Sequence, residues 1–376
     1  MALSSPNIGK LFGVQIQLHW TFILLLIFVL FLGPYFFGII ILLFICVLLH
    51  ELAHSITAKR DGIQVSKIIL MPLGGASIIN MEGIKANQEF YIAMAGPISS
   101  ILIGLFFGLG AIYTPIGMGR QIVQIMFELN ILLGVFNLLP SFPLDGGRVL
   151  RSYLEKKRDE LSATKLTVKI GNAVFILFIF GSIVYATLFT SDSIYYVEFV
   201  VLWDLIIFLF IYGGAQAELQ AAMTKRYTAS LGVRSAMSKN FITEKPETTL
   251  AELYHDVLVR HTHIALFAQG KSIKLVRVPR GPLPNVMANV NRPISSLGVE
   301  IPAVQATVSL DSAINTMRFN DAGVAAVVSR GEIIGVLLQQ HVEHVVALHI
   351  THVMARESRA ARQQKKSSDT NYEWPT

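Results

Sequence analysis

Residues 36–58 read Phe36-Phe37-Gly38-Ile39-Ile40-Ile41-Leu42-Leu43-Phe44-Ile45-Cys46-Val47-Leu48-Leu49-His50-Glu51-Leu52-Ala53-His54-Ser55-Ile56-Thr57-Ala58. A helix needs about 20 apolar residues to cross the hydrocarbon core of a bilayer, and this stretch is long enough. Five further segments have the same character: Val14–Leu32, Gln88–Tyr113, Gln121–Leu139, Ile170–Thr190 and Glu198–Gly213. They predict a polytopic α-helical membrane protein with about six transmembrane helices. Three ionisable side chains stand at the polar end of the quoted segment, where a charge at mid-span costs about 2.5–3.5 kcal/mol. Their presence asks for a reason.

Composition supports the membrane reading. Of 376 residues, 53% are hydrophobic and 15% charged, with mean hydropathy +0.55. A soluble domain carries roughly 25% charge, so a soluble enzyme, a fibrous protein and a nucleic-acid binder are all poor fits, despite a net charge of +6. The apolar residues crowd before about residue 215, and the remainder has the composition of an ordinary soluble domain. The lone cysteine, Cys46, lies within an apolar run, so neither an intrachain disulfide nor a Cys-based zinc site can be built. Val14–Leu32 is too long, and too weakly basic upstream, for a cleaved signal peptide.

Basic residues orient the chain. Lys10 precedes the first expected span; Lys59, Arg60, Lys67 and Lys85 follow the second; Arg148, Arg151, Lys156, Lys157, Arg158, Lys165 and Lys169 follow the fourth. The opposite connections, Pro34–Tyr35 and Ser191–Tyr196, carry none, and the loop after the third span carries only Arg120. Both termini and the soluble portion are therefore expected to be cytoplasmic, in a multi-pass protein of the cell (inner) membrane. Between spans two and three, β-prone Ile63–Leu70 and Ala76–Ile79 flank the turn signal Pro72-Leu73-Gly74-Gly75. That pattern predicts a small hairpin or sheet resting at the cytoplasmic face. The expected domains are a membrane domain over 1–215, a linker helix over 216–232, a soluble α/β domain over 233–354 and a basic, disordered tail over 355–376.

On a helix, residues four apart share a face, so the imidazoles of His50 and His54 can point at one metal ion. Glu51, one residue round the helix, can serve as general base on an attacking water. About 0.01 such matches are expected by chance in this chain, so the pattern is worth weighing against its bland alternative, three polar groups bonding one another inside a bundle. Two histidines do not complete a catalytic zinc site; a third protein ligand is needed. Apart from Glu51, the acids before residue 150 are Asp61, Glu82, Glu89, Glu128 and Asp145. Asp145 stands out, because the prolines of Asn137-Leu138-Leu139-Pro140-Ser141-Phe142-Pro143-Leu144 end the fourth span at the depth of the histidine pair.

Those residues carry a resemblance. His50–His54 within a span, together with Asn137–Gly147, resembles the site-2 protease family of intramembrane zinc metalloproteases, as do Pro72–Gly75 and Ala95-Gly96-Pro97. The likeness covers about residues 1–215. It implies one Zn2+ per chain held by His50, His54 and Asp145, Glu51 as catalytic base, and Asn137 as a contact to the substrate backbone. The substrate class it implies is a single-span membrane protein, which must be unwound before a peptide bond inside its helix can be attacked. Gly74 and Gly75 belong to the hairpin whose edge can hold such a segment extended.

The soluble part holds two similar stretches. Val233–Ser238 followed by Thr248–Glu252, and Pro293–Leu297 followed by Val308–Ala313, resemble the openings of two CBS repeats, the second closing with Gly323–Ser329 and Glu332–Leu338. The resemblance implies an adenine nucleotide as ligand. After Gly335-Val336, however, Leu338 and His341 stand where that family usually has Thr or Ser and then Asp. Homodimerisation through the CBS pair, or gating of substrate, is the competing role. His19-Trp20 reads as a membrane-interface pair or an accessory polar group near the metal. The histidines at 341, 344, 349 and 352 read as a solvated helix face, and Arg359–Lys366 as a soluble tail or a contact to anionic lipid. Two rival functions have sequence support: a membrane-anchored metalloprotease acting in the cytosol with Glu82 as third ligand, and a transporter or channel gated by the CBS pair.

Overall fold

The stretch expected as the first crossing, Val14–Leu32, divides into a strand and a helix. β1 (Asn7–Leu11) and β2 (Val14–Leu18) form a hairpin, and α1 (Trp20–Phe31) follows. The computed structural model describes residues 6–72, 74–80, 83–189, 194–270, 272–277 and 291–369. Val14 and Ile16 are both buried, the period of two that suits a strand. His19 makes the break: its Nδ1 accepts from the Thr21 N–H and lies 2.6 Å from Thr21 Oγ1, while its own N–H donates to Leu70 O. His19 is thus a helix cap. With 12 residues, α1 is about 18 Å long, too short to cross alone.

β3 (Val65–Met71) and β4 (Gly74–Ile79) complete a sheet of order β1-β2-β3-β4. The β2–β3 pair is parallel, with Gln15 opposite Lys67 and Leu18 opposite Leu70; the others are antiparallel. The sheet expected at the membrane face reaches further. β4 lies along α2 (Pro34–Arg60), where a Cβ on Gly75 would stand 2.6 Å from Glu51 Cγ and 3.1 Å from Val47 Cγ1. Only glycine fits so close, and Gly74 takes a φ of +135° in the same turn. Leu73 lies outside the described residues.

The remaining helices of this part are α3 (Ala86–Tyr113), α4 (Met118–Asn137), α5 (Asp145–Leu154), α6 (Glu160–Phe189) and α7 (Ile194–Thr228). Among the described residues, four helices are long and apolar enough to cross a membrane: α2, α3, α6 and α7. The expectation of six differs at α1, which is short, and at α4, which carries Arg120, Gln121, Gln124, Glu128 and Asn130 along its 20 residues. Phe106, Leu177 and Phe180 are exposed, as lipid-facing side chains are. Inward, α3 meets α4 through small residues: Gly104 faces Ile131, Gly108 faces Phe127, and Gly134 faces Ile101 and the Pro97 carbonyl. α7 also takes in the expected linker helix as far as Thr228. Contacts divide the chain after Met223.

The second unit repeats one pattern twice. The first copy has a 3₁₀ turn (Val233–Ser235), β5 (Ile242–Thr243), α8 (Leu250–Arg260), β6 (Ile264–Gln269) and β7 (Ser272–Arg277). The second has a 3₁₀ turn (Ile294–Ser296), β8 (Val299–Ile301), β9 (Ala303–Gln305), α9 (Leu310–Phe319), β10 (Val324–Ser329) and β11 (Glu332–Leu338). Each copy pairs its early strand parallel to the strand after its helix, β5 with β6 and β9 with β10, and then turns back antiparallel. Leu266, Leu275, Ile301, Val324, Ala326 and Val336 form a core shared by both copies. The tail expected to be disordered from residue 355 is instead helical as far as Asp369, within α10 (Gln339–Asp369). Residues 370–376 lie outside the described residues.

Candidate metal centre

α2 supplies two donors because His50 and His54 are one turn apart and both are buried. Their ring centroids are 4.9 Å apart. The third donor arrives from the end of α4: the chain breaks at Leu138, crosses Pro140–Leu144 as irregular backbone, and restarts as α5 with Asp145 as its first residue. Asp145 Oδ2 lies 3.0 Å from His50 Nε2 and 3.2 Å from His54 Nε2. The ligand atoms of these three residues lie within 4.8 Å of one another. Two glycines permit this turn, since a Cβ on Gly146 would strike the Leu138 and Leu139 carbonyls and one on Gly147 the Ser141–Phe142 backbone.

Groups around the donors suit a metal ion. His54 Nδ1 donates to the Ile92 carbonyl at 2.6 Å, which leaves Nε2 as the lone-pair nitrogen. His50 Nδ1 is 2.9 Å from the Ser100 hydroxyl, itself fully buried. Both outer partners come from α3. Gly96 of α3 faces the nitrogens directly: a Cβ there would stand 2.6 Å from His50 Nε2 and closer still to His54 Nε2. The space between the donors is therefore kept clear by a residue without a side chain. Two imidazole nitrogens and one carboxylate are a zinc donor set with one position left open.

Glu51 sits beside this group. Its Oε2 accepts from the Ser77 hydroxyl of β4 at 2.6 Å, and Ser55 Oγ donates to Ser77 Oγ at 3.2 Å. Ser77 and Gly75 thus place one face of β4 against the acid. Asn137, the last residue of α4, is half-buried and donates to the Leu133 carbonyl of its own helix at 2.9 Å. Glu82, the rival third ligand, lies outside the described residues. Sequence reasoning missed Gly96, Ser77 and Ser100 as functional residues. Only Ala95-Gly96-Pro97 offered a signal, as a motif without a role.

The model of peptidase family M50 matches residues 38–116 and 114–182. A zinc metalloprotease of Methanocaldococcus jannaschii is 32% identical over 266 residues, covering 69% of this chain and 73% of that protein. The solved site-2 protease of Methanocaldococcus jannaschii is 32% identical and covers 57% of this chain and 95% of its own, with TM-score 0.43. A CBS domain protein of Pyrobaculum aerophilum, solved with AMP, is 16% identical over 32% of this chain and 99% of its own, with TM-score 0.27. The chain belongs to peptidase family M50, and it is a zinc metalloprotease of the site-2 protease kind.

Proposed function

We propose that this protein is an intramembrane endopeptidase that cuts single-span membrane proteins near the cytoplasmic ends of their transmembrane segments. One observation carries the reading: His50 and His54, on a helix long and apolar enough to span, and Asp145 at the start of α5 bring their ligand atoms within 4.8 Å of one another, beside Glu51 and β4. His50, His54 and Asp145 would hold a zinc ion, which would supply the Lewis acidity that polarises a carbonyl and acidifies water. Glu51 is the base that takes the proton of the attacking water and hands it to the leaving amine. The Ser77 hydroxyl on Oε2 holds that carboxylate in place and leaves its other oxygen to work. The Ile92 carbonyl and Ser100 hydroxyl keep both imidazoles turned with Nε2 inward.

β4 is an outer strand of its sheet, so its free edge can pair with a substrate segment unwound from its helix, with Gly74 and Gly75 allowing close approach. Asn137 is the further candidate for holding that backbone. The basic residues Lys59, Arg60 and Lys85, and those from Arg148 to Lys169, favour a cytoplasmic location for this end of the helices and for both termini. The C-terminal unit is a CBS-like regulator. Between its repeats lies a cavity of about 720 Å³ lined in part by Leu275, Arg277, Glu300 and Asp321, within the range of small-ligand sites.

The test is Glu51→Gln in proteoliposomes with a model single-span substrate. Zinc content should stay at one per chain while cleavage falls by about 10²–10⁴-fold. Cleavage at the wild-type rate removes Glu51 from the reaction and the reading with it.

A further inference from the structure

Asp145 reaches the imidazoles as the first residue of α5, so its place is set by whatever holds that helix. α5 carries two arginines on its next turns. Arg148 Nη2 lies 3.0 Å from Glu218 Oε1, and Arg151 Nη1 lies 3.8 Å from Glu218 Oε2. Arg151 also pairs with Glu89 of α3, and its Nε lies 3.6 Å from Glu155. The Arg151 and Glu89 side chains are nearly inaccessible to solvent, at 10% and 9%. One carboxylate of α7 therefore engages both guanidinium groups of α5.

The same face of α7 grips the segment leading into Asp145. Ile211 packs with Leu144 and Phe175, and Ala215 with Phe142 and Val168. A Cβ on Gly214 would stand 2.7 Å from Pro143 Cγ and Cδ. Positions 211, 214, 215 and 218 recur at helical spacing, so a single stripe of α7 contacts Leu144, Pro143, Phe142 and Arg148 in turn. Asp145 lies within this run and faces the other way, towards α2. Arg148 is three residues from Asp145, about 4.5 Å along the helix.

We propose that Glu218 is a positioning residue for the metal centre. By holding Arg148 and Arg151 with its two oxygens it sets the rotation and height of α5, and through them the place of the Asp145 carboxylate. A buried ion pair is weak evidence for stability alone, because desolvation offsets much of the attraction. Its geometric role is what the arrangement here favours. The proposal rests on the reading of Asp145 as a zinc ligand.

The experiment uses the full-length protein in nanodiscs: wild type, Glu218→Ala, Glu218→Gln, Asp145→Ala and Asp204→Asn. Asp204 lies on the same α7 and pairs with Ser182 of α6, so it reports the loss of a buried polar contact remote from α5. Two readouts are taken, the rate at which a chelator strips zinc and the visible spectrum of the Co2+-substituted protein. Glu218→Ala should lose zinc at least about tenfold more readily and shift the Co2+ bands, as loss of outer support for a ligand does. Glu218→Gln, which keeps shape and one acceptor oxygen, should fall between it and wild type. Asp204→Asn should lower the melting temperature with both readouts unchanged. Wild-type chelator resistance and spectrum in Glu218→Ala overturn the proposal, as does an equal change in Asp204→Asn. If Asp145→Ala also retains metal, the ligand assignment itself has failed; if it loses metal while Glu218→Ala does not, the positioning role alone is wrong.

Discussion

Gly96→Ala is the sharpest perturbation the structure offers, because it adds one methyl group where zinc belongs. That methyl would stand 2.6 Å from His50 Nε2, whereas unstrained heavy atoms sit about 3.5 Å apart. α3 must therefore retreat from α2 by at least about 0.9 Å, since the contact to His54 Nε2 is closer still. The retreat carries the outer partners with it. The His54 Nδ1–Ile92 O and His50 Nδ1–Ser100 Oγ distances, 2.6 and 2.9 Å, lengthen to about 3.5 and 3.8 Å, past useful hydrogen bonding. Zinc tolerates ligand displacements of only about 0.2 Å, and each lost outer partner costs about tenfold or more in affinity. Affinity should fall by at least about 10²-fold, with cleavage falling in parallel. Chelator competition on the purified protein measures the first, and cleavage of a reconstituted single-span substrate the second. Gly104→Ala is the control. Its methyl would press on Ile131 at 2.9 Å, costing about 1–3 kcal/mol of α3–α4 packing with zinc retained. Full zinc affinity in Gly96→Ala, or equal loss in Gly104→Ala, would refute this account of the donor pocket.

Ser77→Ala removes the 2.6 Å bond to Glu51 and frees that carboxylate to rotate, so kcat should drop about tenfold while metal analysis still finds one zinc per chain. In the second unit, Thr249 caps α8 by accepting from the Glu252 N–H, and Thr249→Ala should cost about 1 kcal/mol, read by hydrogen exchange of the α8 amides in the intact chain. The Glu252 carboxyl in turn accepts from the Thr249 N–H, which holds it below the usual carboxylate range. Its contribution is present above the unfolded carboxylate range and is lost as pH falls through the lower folded value, so α8 protection should weaken on acidification. Glu252→Gln should flatten that acid response; an unchanged response would locate it in another group.

Much of the fold could be read from local pattern. Apolar length foretold α2, α3, α6 and α7, and β-prone residues on either side of the Pro72–Gly75 turn signal foretold β3 and β4. The repeat in the soluble half was legible from two similar stretches, Val233–Ser238 with Thr248–Glu252 and Pro293–Leu297 with Val308–Ala313, that resemble CBS openings; the structure adds that Thr249 and Ser309 within them cap helices. The N-terminal strands were missed because Val14–Leu18 is as apolar as the helix it precedes. What makes it a strand is pairing with β3, some fifty residues further on, together with the cap at His19. The tail was misjudged from its basic composition, although nothing in residues 355–369 breaks the helix that enters them.

His50, Glu51 and His54 are determined by the sequence itself, since spacing of one helical turn is a local geometric fact. Which acid completes their donor set is a different matter. Asp145 meets them only because α4 stops, the glycines at 146 and 147 let α5 restart against the loop, and α7 braces it from behind. Ser77, Ser100, Gly96 and Glu218 likewise gain their roles from neighbours far away in the chain, so no window of residues could show them. Periodicity reports which face a side chain takes on its own element; what lies opposite that face is settled by packing between elements.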